Sequence, residues 1–354
     1  MSTHAKFSFQ RSVNAVGTSR AMTIEAGSRT FVSAICERGS PTPNHAPTPS
    51  PRHKHAPVAA TRRMGYPPGP MTSAEPPFAR TIAREFQADL SFAARNRLAL
   101  ADMAEGLRLW RLACTLGWLD IRLRYRGSML GPFWLTISTG VMVAALGVLY
   151  AQLFGIPARE YLPFLALSQV LWAYLSTLTA EACTTFTQAE GVIRSVRMPM
   201  SVFGLRTVVR NLLVLGHNVL VIVVVFALYR VWPGWQAFGA LPGLLLWTID
   251  SLALTLLLGG LCARFRDIVP IVNSLMQIAF FVTPVIWKPE QLGAYRGLLP
   301  LNPLYDLLEV VRGPLLGEGF APLVWLGAAG FSAALCGLAW GFFIRARGRL
   351  AFWV

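Results

Sequence analysis

Lysine is scarce: the 354-residue chain has three, Lys6, Lys54 and Lys288. A phosphate-binding loop requires Gly-Lys-Ser/Thr, since backbone amides and the lysine together hold the phosphates. These lysines follow Ala5, His53 and Trp287, so the chain carries no such loop and any ATP is hydrolysed elsewhere. Charge is low overall, 14% against about 25% in a soluble domain. Cysteine patterning is absent too. Cys36, Cys114, Cys183, Cys262 and Cys336 form no C-x-x-C pair and no metal-ligand spacing, and they read as small apolar fillers. Acid is outnumbered, 17 Asp+Glu to 32 Lys+Arg, for a net charge of +15. Charge alone speaks only to non-specific nucleic-acid association. Its placement argues against that partner: residues 1–130 hold 18 basic and 8 acidic residues, and the other basic ones sit mostly between apolar runs.

Apolar sequence is what the chain has in quantity, 54%, with a mean hydropathy of +0.48. Six segments, 134–154, 161–180, 211–229, 240–262, 268–287 and 319–344, approach or exceed the length of about 20 residues that crosses a bilayer core. Four contain no charged residue; the third has His217 and the fourth has Asp250. A central Asp costs about 2.5–3.5 kcal/mol, while each Leu returns about 0.3–0.6. Residues 241–262 contain ten Leu, so that segment still inserts. The sixth is longer than a bilayer requires and tilts or extends beyond it. With the N-terminus inside, 27 basic residues fall on the inner side and five outside, which makes both termini cytoplasmic. The expected fold is all-α, an integral membrane bundle of six transmembrane helices.

The flanks differ from the spans. Residues 1–77 are rich in proline, with Pro41, Pro43, Pro47, Pro49, Pro51 and Pro57 in one stretch, and lack the apolar core of a signal peptide. Such a segment cannot bury enough apolar surface to order itself, and the expectation is a disordered tail. A translation start downstream, for example at Met103, is an alternative. Residues 78–133 form a cytoplasmic region before the first span. Within it Leu107, Trp110, Cys114, Trp118, Ile121 and Tyr125 recur at helical spacing over 103–126, with Arg108, Arg111, Arg122 and Arg126 off that face. The pattern suits a helix lying in the membrane interface, or one packed on protein. Residues 345–354 form a basic cytoplasmic end.

The segment 288–318, between the last two runs, is leucine-rich rather than polar. Asn302 suits a helix N-cap and Pro303 a first turn, with Gly313 and Pro314 to end the helix. About ten residues give about 15 Å, too short to span. The segment either enters the outer leaflet as a re-entrant hairpin or lies flat on the surface. Ionisable residues inside spans are confined to His217 and Asp250, which pair between neighbouring spans or serve separately as structural hydrogen-bonders, transport residues or catalytic groups. Trp134, Tyr161 and Trp287, near span ends, read as interface anchors. Tyr150, Trp172 and Phe281 are candidates for lining a channel.

Five motifs follow one another on this map: Arg124-Tyr125-Arg126-Gly127-Ser128-Met129-Leu130-Gly131-Pro132-Phe133-Trp134, Arg264-Phe265-Arg266-Asp267, Thr283-Pro284-Val285-Ile286-Trp287, Asn302-Pro303-Leu304, and Val311-Arg312-Gly313-Pro314. The series, over roughly residues 105–350, resembles the type 2 ABC transporter permeases that export cell-surface polysaccharides such as O-antigen or capsule. The resemblance implies a homodimer paired with two copies of a separate cytoplasmic ATPase, which binds the ATP-Mg; this chain holds no cofactor or metal. It implies an undecaprenyl-diphosphate-linked glycan as substrate and the bacterial inner membrane as location. A coupling helix to the ATPase is implied at 190–199, with Glu190, Val192, Ile193, Arg194, Val196, Arg197 and Pro199, where Pro199 stops the helix. A periplasmic gate is implied at Asn302, Pro303, Tyr305 and Arg312. Arg122, Arg124 and Arg126 suit either the diphosphate headgroup or anionic lipid.

Overall fold

The computed structural model describes residues 91–131 and 133–354. The tail expected to be disordered, residues 1–77, lies outside them. Ten α-helices cover the described chain: α1 (Phe92–Arg108), α2 (Trp110–Arg124), α3 (Phe133–Phe154), α4 (Ala158–Thr184), α5 (Glu190–Ser195), α6 (Met200–Tyr229), α7 (Ala240–Arg264), α8 (Ile268–Val282), α9 (Pro303–Leu316) and α10 (Pro322–Trp353). Short 3-10 segments at Thr187–Ala189, Gly234–Gly239 and Pro289–Leu301 link them.

Five helices have the length and apolarity to cross a membrane: α3, α4, α6, α7 with its preceding 3-10 turn, and α10. This is a multi-pass membrane protein. The fifth expected span, 268–287, is helical over 15 residues only. Its helix is about 22 Å long. It ends because Thr283 precedes Pro284, whose ring disfavours helical backbone before it; Thr283 is extended, at φ −87° and ψ 137°. Two other spans extend well beyond their apolar segments at the end with the basic residues. α6 starts at Met200, well before residue 211, and α10 runs on to Trp353, so nearly all of the expected basic tail is the last turns of a 32-residue helix. Apolar periodicity marks only the part facing lipid or core; the polar turns beyond are held by tertiary partners.

α4 is the centre. Tyr161, Leu165, Leu167, Val170 and Leu178 are almost fully buried. α3, α6, α7, α8 and α9 all pack on it. Tyr161 is therefore not an interface anchor; its hydroxyl donates to the Ile286 carbonyl at 2.6 Å. α8, by contrast, buries no residue, and Ile271, Leu275, Ile278 and Phe281 are exposed.

The expected interface helix is two helices, broken at Leu109 (φ −86°, ψ 19°). Its buried face is not the large apolar one. Asp102, Gly106, Ala113, Gly117 and Ile121 are buried, while Leu107, Trp110 and Trp118 are about half exposed. Small residues permit close approach to α6: a Cβ on Gly117 would lie 3.2 Å from the Arg206 carbonyl oxygen. The apolar stripe is thus left on the outside, and Ile121 alone among its members is turned fully inward.

α9 is capped as its sequence suggests: the Leu304 amide donates to Asn302 Oδ1 at 3.0 Å. It does not stop at Gly313. Helical backbone continues through Pro314 to Leu316 and ends at Gly317, φ 78°. Pro314 cannot donate to the Val310 carbonyl one turn back. α7 presses there instead: a Cβ on Gly243 would lie 2.8 Å from that carbonyl oxygen. Tyr305, Leu307, Leu308, Val310 and Val311 are buried, and Trp247 Nε1 donates to the Leu307 carbonyl at 2.8 Å. The helix is enclosed by protein rather than laid flat on a surface.

Candidate functional site

Two polar regions lie at opposite ends of the bundle. At the α5 end, the segment 190–199 folds into six helical residues, held by Glu190–Arg194 at 2.9 Å and by the Ser195 hydroxyl donating to the Gly191 carbonyl at 2.7 Å. The helix ends at Ser195, and Val196 is extended. Pro199 does not stop it; Pro199 is the residue immediately before α6. Val192, Val196 and Arg197 are exposed, whereas Ile193 packs against the cluster of Phe186, Phe203, Phe343 and Leu350. The segment therefore presents one side outward and plugs the other into the bundle.

Beside it, a charge network ties α2 to α4 and α6. Asp120 accepts from Arg206 Nε at 2.7 Å and Arg210 Nη1 at 3.1 Å. Glu181 accepts from Arg210 Nε at 2.9 Å, Arg124 Nη2 at 2.7 Å and Asn211 Nδ2 at 2.7 Å. Burial alone would raise the Asp120 carboxyl, but the hydrogen bonds and charges of Arg206, and then Arg210, hold it below the usual carboxylate range. Of the arginines expected to meet a phosphate or lipid headgroup, Arg124 is engaged here, while Arg122 and Arg126 are exposed. Arg264, in the Arg-Phe-Arg-Asp motif, lies over the rings of Phe265 (5.8 Å) and Trp353 (5.7 Å). Asp120, Glu181, Arg206 and Arg210 were not singled out from sequence. Glu181 and Arg210 directly flank the apolar runs 161–180 and 211–229, which is the one signal the sequence offers for them.

At the other end, the Thr-Pro and Asn-Pro motifs meet. Asn302 Nδ2 donates to Thr283 Oγ1 at 3.0 Å. Arg312 is 1% exposed; it pairs with Glu309, donates to Ser168 Oγ at 2.9 Å and the Pro284 carbonyl at 2.6 Å, and lies 4.6 Å over Phe164. Pro303 opens α9 and Tyr305 is buried within it. The non-helical segment 283–287 is thus fastened at Thr283, Pro284 and Ile286 by the Asn302 cap, α9 and α4. A cavity of about 650 Å³ opens beside it, lined by Phe164, Lys288, Arg296, Tyr305, Glu309 and Arg312 among others. Glu309, Phe164 and Ser168 escaped the sequence reading because they complete the site only after folding.

The intramembrane candidates do not come together. His217 on α6 has Nδ1 2.7 Å from the Leu213 carbonyl, with Phe133 edge-on. Asp250 on α7 accepts from Ser332 on α10 at 2.7 Å. The two do not pair with each other: His217 bonds within its own helix and Asp250 bonds to α10. The aromatic candidates separate likewise. Trp172 is 5% exposed, with Phe280 of α8 packed on it at 5.8 Å, so this chain covers it. Tyr150 is half-buried against Phe154, and Phe281 is 70% exposed. Among the described residues no group of three or more His, Cys, Asp and Glu could hold a metal ion.

A family model described as ABC-2 type transporter matches residues 111–316. The chain is similar to the O-antigen export system permease protein RfbA of Myxococcus xanthus, at 27% identity over 196 residues, 53% of this chain and 74% of that protein. It is also similar to the protein of that name from Klebsiella pneumoniae, at 22% identity over 195 residues and the same shares of the two chains. The match spans both polar regions, from α2 to α9.

Proposed function

The chain belongs to the ABC-2 type transporter family, transmembrane transport subunits rather than catalytic enzymes, and from that premise we propose that it is the permease of an ABC exporter for a lipid-linked polysaccharide of the O-antigen kind. The names of its relatives support the substrate class. The observation that carries the mechanism is the exposed segment 190–199, which passes through extended Val196 and Pro199 directly into α6, the helix whose Arg206 and Arg210 bind Asp120 and Glu181. A push on that segment reaches α2, α4 and α6 together. The partner doing the pushing is a separate cytoplasmic ATPase carrying the ATP-Mg, two copies to a permease homodimer.

The exposed apolar face of α8, with Phe281, supports a second copy lying against it. α8 then serves as the sixth span, shortened because the segment 283–287 and α9 continue the path as a re-entrant hairpin. Arg312, Tyr305 and Asn302 form the periplasmic gate, and Phe281 lines the path between the copies. Arg122 and Arg126 face the headgroup of the undecaprenyl-diphosphate carrier or of inner-membrane lipid. Both termini are cytoplasmic. No step makes or breaks a bond on this chain.

The test is purification of the complex from its native host. A co-purifying ATPase, whose activity falls severalfold when Val192 and Val196 are both changed to Asp, is the expected result. Absence of any ATPase, even after crosslinking, would overturn the reading.

A further inference from the structure

The start of α6 lies between the coupling segment and the bundle, and its first turn needs hydrogen-bond acceptors. Its own N-cap, Pro199, supplies no side-chain acceptor. The acceptors come from α1 instead. Asp102, 2% exposed, takes the Met200 amide on Oδ2 and the Ser201 amide on Oδ1, both at 3.1 Å. The Ser201 hydroxyl lies 2.8 Å from both Oδ1 and the Asp102 carbonyl oxygen. Negative charge is favoured at this end of a helix dipole. Arg347 of α10 then donates from Nε to Oδ2 at 2.8 Å.

A capping residue drawn from the adjacent loop would hold only α6. This one, 98 positions away in sequence, makes the helix start a joint of three elements. Two further ties run alongside: Trp340 Nε1 of α10 donates to Asn96 Oδ1 of α1 at 3.1 Å, and Arg194 of α5 donates to the Val354 carbonyl at 2.6 Å. α1 can come this close because residue 106 is glycine; a Cβ there would lie 2.1 Å from Ser201 Oγ.

We propose that Asp102 is a positioning residue for ATP-driven export, joining the coupling segment to α1 and α10 so that the three move as one body. The inference rests on the exporter reading above. Asp102→Asn keeps the size and one acceptor oxygen but loses the charge that Arg347 and the two amides share. Spin labels at Ser195 and Arg349, in a cysteine-free background, are expected to give a narrow distance distribution by pulsed EPR, and a broad one once Asp102→Asn is added. In the purified permease–ATPase complex the variant should hydrolyse ATP within about twofold of the parent. Surface polysaccharide of the host, measured on gels of extracted envelopes, should fall at least about tenfold. Arg347→Lys, which keeps the cation, should restore more export than Arg347→Gln.

Unchanged distances with normal export would overturn the proposal. So would a parallel fall of hydrolysis, export and folded yield, which marks a purely structural role. A parent complex that neither hydrolyses ATP nor supports surface polysaccharide sinks the exporter reading instead, and the label distances still decide whether Asp102 makes the joint.

Discussion

Asp120 shows what a single residue does at the rim of the bundle. Its carboxylate faces Arg206 and Arg210, and its pKa is lowered on folding. A carboxyl with a depressed folded pKa adds stability above its unfolded value, about 3.9, and loses it as pH falls through the folded value. Thermal unfolding in detergent between pH 7 and pH 3 should therefore show a steep acid-side loss in the parent. Asp120→Asn should flatten that slope and lower stability at pH 7 by about 1–3 kcal/mol, because two arginines lose a charged partner. An unaltered slope would place the acid sensitivity at carboxylates other than Asp120. The sequence displayed Asp120 among the arginines of α2 without indicating a role, since Arg206 and Arg210 lie 86 and 90 positions away. Arg312 was legible as a motif member, but its partners Ser168 and Glu309 were not.

At the scale of the element, α9 depends on α7 for its place. Pro314 leaves the Val310 carbonyl without its intrahelical donor, and Gly243 lets α7 close over it. Gly243→Ala puts a methyl group 2.8 Å from that oxygen, nearer than atoms approach, so one helix must move. The expected cost is about 1–3 kcal/mol, as for overpacking generally. The Trp247–Leu307 hydrogen bond should loosen with it, read as a shift in tryptophan fluorescence. Gly330→Ala, where nothing lies within 4 Å of the new methyl, is the matched control and should leave stability within about 0.5 kcal/mol of the parent. Helix existence was legible from apolar runs and from Asn302-Pro303; the continuation through Pro314 was not, because it depends on α7. The break at Leu109 was likewise unreadable, as neither glycine nor proline marks it.

At the scale of the whole molecule, the two polar ends must face opposite sides of the membrane if the exporter reading holds. A single cysteine at Ser195 should react with an impermeant maleimide only in inside-out vesicles, and one at Gly297 only in intact spheroplasts. Labelling of both from one side would contradict the proposed topology. The residue counts alone set the membrane class, since 14% charge and long apolar runs leave no soluble alternative. They set five of the helices, and the motif order gave the family resemblance that residues 111–316 match. Which helix pairs with which is settled only by folding. Hydrophobic periodicity reports how a helix faces its surroundings, not which distant helix supplies its caps and counter-charges. Those partners are fixed by close helix approach at Gly106, Gly117 and Gly243, a property of packing that no single segment contains.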